Sequence, residues 1–113
     1  MTTRALEAVD EILAGGGDAD DVLRAVVQVL ASEPDVCWAG ILFVEEGALV
    51  LGPESGRADT ARRRGLPIAY RGERVGELAV DGEADEALLA QIADRVAAHV
   101  LLGWDTGGER WEP

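Results

Sequence analysis

Val36-Cys37-Trp38-Ala39-Gly40-Ile41-Leu42-Phe43-Val44 is an unbroken run without a charged side chain, and Glu45-Glu46-Gly47 separates it from a second apolar run, Ala48-Leu49-Val50-Leu51. The first run is apolar at both alternating positions, which suits a central strand covered on both faces. A Glu-Gly pair between two such runs predicts a tight turn, and so a β-hairpin. Gly52-Pro53 predicts the end of the second strand, because proline has no N–H to give to a ladder. This hairpin decides the fold class, since the period of the chain changes at Val36.

Upstream the spacing is helical. Leu6, Val9 and Leu13 recur on one face of Arg4–Ala14, with Arg4, Glu7 and Glu11 turned away. Gly15-Gly16-Gly17 ends that helix. Asp18 and Asp20 are N-cap candidates for a second helix whose buried side is Val22, Leu23, Val26, Val29 and Leu30, closed by Pro34. Downstream, Leu66, Ile68 and Tyr70 share one face of a strand, and Arg71-Gly72-Glu73 turns the chain. Arg74–Val80 returns with Leu78 and Val80 inward, and Asp81-Gly82 breaks it. Ala58–Arg63 reads equally as a short edge strand or as loop. A final helix starts near Asp85, with Leu89, Ile92, Ala93, Val96 and Val100 as its stripe. The order predicts an α+β two-layer arrangement: an antiparallel sheet of four to five strands flanked by N-terminal and C-terminal helices. One domain spans 1–113, made of a helix and glycine linker (1–17), a core (18–102) and a tail (103–113).

The composition narrows the function classes. The chain has 113 residues, 48% of them apolar, and a formal net charge of −12. Such a surface repels phosphate backbones and anionic headgroups, so neither nucleic acid nor membrane is an expected partner. No apolar run approaches the roughly 20 residues of a membrane span. One cysteine, Cys37, and no signal-peptide pattern point to a reducing cytoplasm. All ten basic residues are arginine, which suggests a GC-rich bacterial genome, and the acidity also fits a salt-adapted one. The charge is uneven: Ser55–Val75 holds Arg57, Arg62, Arg63, Arg64, Arg71 and Arg74 against Asp59 and Glu73, a net of +4, leaving −16 elsewhere.

Two stretches resemble the GAF domain family. Trp38–Val44 with Gly47–Pro53 and Gly56 is similar to the first hairpin of its free methionine-R-sulfoxide reductase branch. Leu66-Pro67-Ile68, Gly72 and Val75-Gly76-Glu77-Leu78-Ala79-Val80-Asp81 are similar to the last hairpin of GAF domains generally, and Asp85–Leu102 to the closing helix. The resemblance implies a ligand-sensing or signalling fold. It also implies that a strand, a helix and a long loop should stand between the hairpins and wall off a ligand pocket. Here only about a dozen residues separate Pro53 from Leu66. The reductases carry redox cysteines in that region, where this chain has none. A dithiol cycle needs a second, resolving thiol. The expectation is therefore a protein that is not an enzyme, with no catalytic residue, no cofactor and no metal.

The remaining candidates are binding residues. Cys37, between Val36 and Trp38, reads as a buried and inert thiol. His99, the single histidine, lacks the partners of a metal site. Asp18, Asp20 and Asp21 read as helix-capping groups, without the pattern of a Ca²⁺ loop. Arg62, Arg63 and Arg64, with the glycines Gly52 and Gly56, could hold a small anionic ligand through guanidinium groups; the plainer reading is that they keep an edge strand soluble. The GAF resemblance implies a homodimer through the first and last helices, with Leu6, Val9, Leu13, Val96, His99 and Leu102 as candidate interface residues. Trp104 and Trp111 would fold back over the domain or join that contact.

Overall fold

The structure, a computed structural model, describes residues 3–110 and the side chains of residues 4–101. Leu102 and Trp104 therefore lie outside the described side chains, and Trp111 outside the described residues. Two helices, α1 (Thr3–Gly15) and α2 (Ala19–Ala31), precede strands β1 (Val36–Glu45) and β2 (Ala48–Gly56). A single 3₁₀ turn (Thr60–Arg62) leads to β3 (Arg63–Tyr70) and β4 (Glu73–Gly82), and α3 (Glu86–Arg110) closes the chain. Asp18 occupies the N-cap of α2 through its carbonyl, which accepts from Val22 N–H at 3.0 Å, while its side chain makes no capping bond. At α3 the cap is a side chain: Asp85 Oδ1 accepts from Ala87 N–H at 2.8 Å. The last helix continues past Gly103, where the sequence predicted its end. An isolated glycine costs a helix only about 1 kcal/mol and does not stop it unaided.

The four strands form one antiparallel sheet in the order β2-β1-β4-β3. Each hairpin turns on two residues of positive φ, Glu46-Gly47 (52° and 81°) and Arg71-Gly72 (54° and 83°). This is the geometry whose twist matches the strands it joins. Two expectations change. First, β2 does not end at Gly52-Pro53 but runs to Gly56, because the register shifts there: Leu42 faces Leu51 whereas Gly40 faces Glu54. Gly52 and Pro53 both sit opposite Ile41, a bulge on an edge strand, where proline is tolerated. Second, β3 opens at Arg63 rather than at Leu66, and the stretch before it, which read equally as edge strand or loop, is loop and 3₁₀ turn.

Helices α2 and α3 cover one face of the sheet, α2 under β1 and β2 and α3 under β3 and β4, and α1 packs chiefly on those two helices. The core lies between: Leu23, Val26, Val27 and Leu30 from α2, Leu89, Ile92, Val96 and Val100 from α3, Val9 from α1, and Ala39, Ile41, Ile68, Leu78 and Val80 from the strands. Val9 and Val96, candidate interface residues, are thus fully buried within the single chain and offer no surface to a partner. Leu6, Leu13 and His99 remain half-buried. Among the described residues, no helix is long and apolar enough to cross a membrane.

The turn at Arg71-Gly72 yields a direct test. Nothing would obstruct a methyl group at Gly72, so only its φ of +83° opposes one. Gly72→Ala should cost about 1 kcal/mol, lowering the melting temperature by about 4–8 °C. An unchanged melting curve would contradict the turn geometry.

Candidate functional site

One row of residues crosses all four strands at the end of the sheet remote from the hairpin turns. Gly56 of β2 faces Trp38 of β1, Trp38 faces Asp81 of β4, and Asp81 faces Arg63 of β3. Alternation sends Trp38, Asp81 and Arg63 to the face opposite the helices. Trp38 and Ala79 are buried there, although neither belongs to the main core. The next residues on that face, Gly40, Ala79 and Gly65, are small, and the Trp38 ring occupies the space over Gly40 where a side chain would stand.

Asp81 is the fully buried charged residue among those described. Its carboxylate accepts from Arg63 Nε at 2.7 Å and Arg63 Nη2 at 3.0 Å, a two-pronged ion pair, and from the Asp59 backbone N–H at 2.6 Å. Burial pushes the carboxyl upward, but the Arg63 bonds, the Asp59 amide and the Arg63 charge outweigh it and hold the group below its ordinary value. The same bond with Asp81 raises the Arg63 guanidinium. Arg63 also stacks over the Trp38 ring, 4.1 Å from guanidinium carbon to ring centroid. Trp38 Nε1 donates to Glu54 Oε1 at 2.8 Å. The Cys37 thiol donates to the backbone oxygen of Asp81 at 3.4 Å. The polar groups of this face are therefore engaged with one another.

The connector from β2 to β3, residues 57–62, runs across this same end. It must cross β1 and β4, three strand spacings or about 14 Å, and its seven Cα–Cα steps from Gly56 to Arg63 reach at most about 25 Å. It is tied down at Arg57, whose N–H donates to Cys37 O at 2.8 Å, and at Asp59 on Asp81. Little chain is left to rise over the sheet.

The predicted ligand group is divided by the fold. Arg63 is held by Asp81. Gly56 lies in the same row, its φ of +97° allowing close approach to Cys37 O. Gly52 lies farther along β2 against the Phe43 ring. Arg62 ends the 3₁₀ turn, and Arg64 faces Val80 on the helix-covered side. Arg62, Arg63 and Arg64 do border a hollow of about 290 Å³ with Ala61, Gly82 and Glu83. Arg62 and Arg64 are exposed and make no ion pair among the described residues. Of the helical candidates, His99 stands one turn beyond Arg95, which bonds Asp10 of α1 at 2.8 Å, and its Nδ1 is buried without a partner among the described residues. Among those residues no cluster of His, Cys, Asp or Glu could hold a metal ion.

An open antiparallel sheet in this order, backed by helices from both ends of the chain, defines the GAF-like fold. No family model matches the chain, and no curated protein matches it in sequence. Solved structures do. The GAF domain of a phosphoenolpyruvate-protein phosphotransferase from Coxiella burnetii gives a TM-score of 0.76 at 14% identity, covering 94% of this chain and 96% of that one. The free methionine-R-sulfoxide reductase from Neisseria meningitidis, in complex with its substrate, gives 0.71 at 15%, covering 90% and 89%. The type II free methionine-R-sulfoxide reductase from Thermoplasma acidophilum gives 0.62 at 22%, covering 74% and 92%. The chain has the GAF-like fold.

The ion pair sets a pH dependence. Folded Asp81 holds its proton less readily than unfolded Asp81, whose value is about 3.9. The pair's stabilisation is complete above that pH and drains away as pH falls through the lower folded value. Asp81→Asn leaves Arg63 unpaired and should cost about 3 kcal/mol, the low end for a buried pair because the Arg63 side chain is 36% exposed. Urea titrations from acid to neutral pH should show the wild-type advantage shrinking below about pH 4. Arg63→Met alone strands a buried charge; combined with Asp81→Asn it should recover much of the loss. Additive losses would rule out the coupling.

Proposed function

We propose that this chain is a non-catalytic GAF-like module that acts by association with another protein, in the first instance a second copy of itself. The observation that carries this reading is the occupied sheet face: Trp38, Arg63 and Asp81 engage one another where a ligand chamber would stand, and the tied connector 57–62 has no length to roof one. The single thiol points the same way, since Cys37 is turned onto the Asp81 carbonyl and the chain has no resolving partner for it.

Two measurements test the reading. Incubated with free methionine-R-sulfoxide and dithiothreitol, the protein should yield no more methionine than buffer does; turnover abolished by Cys37→Ser would overturn the non-catalytic part. In sedimentation, its mass should exceed the 11.9 kDa of one chain as concentration rises. A single-chain mass at every concentration would overturn the association part.

One observation favours a second reading, a small-anion sensor. Arg62 and Arg64 stand exposed beside the hollow they border with Glu83. A thermal-shift series with phosphate, nucleotides and small carboxylates separates the readings. An anion at a hundred times its Kd adds about 2.7 kcal/mol, a rise of many degrees. No shift with any of them removes the sensor reading.

A further inference from the structure

The geometry points to a specific mode of association, resting on the reading above: the β2 edge of one copy accepts the β3 edge of a second copy, so that the sheet continues from chain to chain. β2 and β3 are the two edges of the open sheet. The exposed large apolar side chains among the described residues are Leu49, Val50 and Leu51, at 40%, 42% and 45%, and all three are on β2. Because they are consecutive, they project to both faces of the sheet. A partner laid on one face would leave Val50 or the two leucines uncovered. A strand added at the side reaches all three and meets the unpaired N–H and C=O groups of the edge.

Charge selects the strand. The apolar stretch of β2 is bracketed by Glu45 and Glu46 at one end and Glu54 at the other. Antiparallel pairing of β2 with its own copy about Val50 would bring the Glu45-Glu46 turn of each copy to the Glu54 end of the other, which like charges oppose. The β3 edge has the opposite signs at both ends: Arg62, Arg63 and Arg64 where it begins, and Arg71 just beyond Tyr70. An antiparallel register with Val50 opposite Leu66 puts both residues on the helix-covered side of their sheets. It brings the Glu45-Glu46 turn to the Arg71 end of β3 and Glu54 to the Arg62–Arg64 end. The helices of both copies then lie on the same side of the continued sheet. The bulge at Gly52-Pro53 confines the contact to Ala48–Leu51, and Pro67, which falls opposite Leu49, has no N–H to give to it, so each joint is short and reversible.

Such a contact is heterologous. It leaves one β2 edge and one β3 edge free at the ends of every assembly, so association has no built-in stop. The average mass of the full chain should climb continuously with concentration, from micromolar to millimolar, without a plateau at the dimer. The double reversal Glu45→Arg/Glu46→Arg alters only the acidic turn that leads into the β2 edge, and Arg62→Glu/Arg64→Glu only the β3 edge. Each variant alone should sediment as a single chain where the wild type does not, and an equimolar mixture of the two should associate again. Val50→Lys should abolish association by itself. Circular dichroism and melting curves establish that the variants are folded. Variants that associate as the wild type does would overturn the inference while leaving self-association standing. A β2-reversed variant that associates more strongly alone would point to β2–β2 pairing and overturn it too. A wild type that stays a single chain throughout would remove both.

Discussion

The Asp81 carboxylate stands where four pieces of chain meet, and the arrangement of the sheet's outer face depends on how it is neutralised. A charge wholly out of water persists only with paired and hydrogen-bonded company. Here β3 supplies Arg63, and the connector supplies the Asp59 amide. Satisfying one buried oxygen pair therefore fixes the start of an edge strand and the path of the crossover. Arg63, held in place, becomes the lid on Trp38, and Trp38 covers Gly40. The chain of dependence runs from a single carboxylate to the covering of one end of a sheet face.

The covering lies over a strip of small residues. Gly40, Ala79 and Gly65 make a strip of small side chains, the kind of floor on which a ligand could lie. The floor is taken by the protein's own indole and by the Glu77 side chain beside Gly65. Exposed charged side chains stand outward, at the edges and the rims. There the charge imbalance noted in the sequence acquires a spatial meaning: the arginines border one edge of the sheet and the glutamates bracket the other.

Much of this was legible in the residues. The two hairpins follow from apolar runs flanking Glu46-Gly47 and Arg71-Gly72, and the helical stripes from period alone. The central pair at the site was not, and the reason is local. Counting outward from the Arg71-Gly72 turn places Arg63 opposite Val80. Only the register shift at Ile68/Ala69 moves it to Asp81. In the first hairpin the Gly52-Pro53 bulge moves Trp38 from Ser55 to Gly56 in the same way. A one-residue slip inverts every facing partner, and a bulge leaves little trace in composition. The available signal was Asp81 itself, an acidic residue directly after the apolar Leu78-Ala79-Val80, which reads as a strand terminus until its partner is known. Val9 and Val96 show the converse: helical stripes mark burial, and the stripe does not say whether a core or a partner covers it.

The topology also orders events in time. Each hairpin closes over a two-residue turn, a local process on the microsecond scale, whereas β1 and β4 come from distant parts of the chain and must find each other across a long loop. Trp38 and Asp81 belong to different hairpins. Their row, with Arg63 laid across it, can assemble only when the two halves dock, so the Trp38 indole, bonded to Glu54 within the first half, gains its guanidinium cover only at that docking.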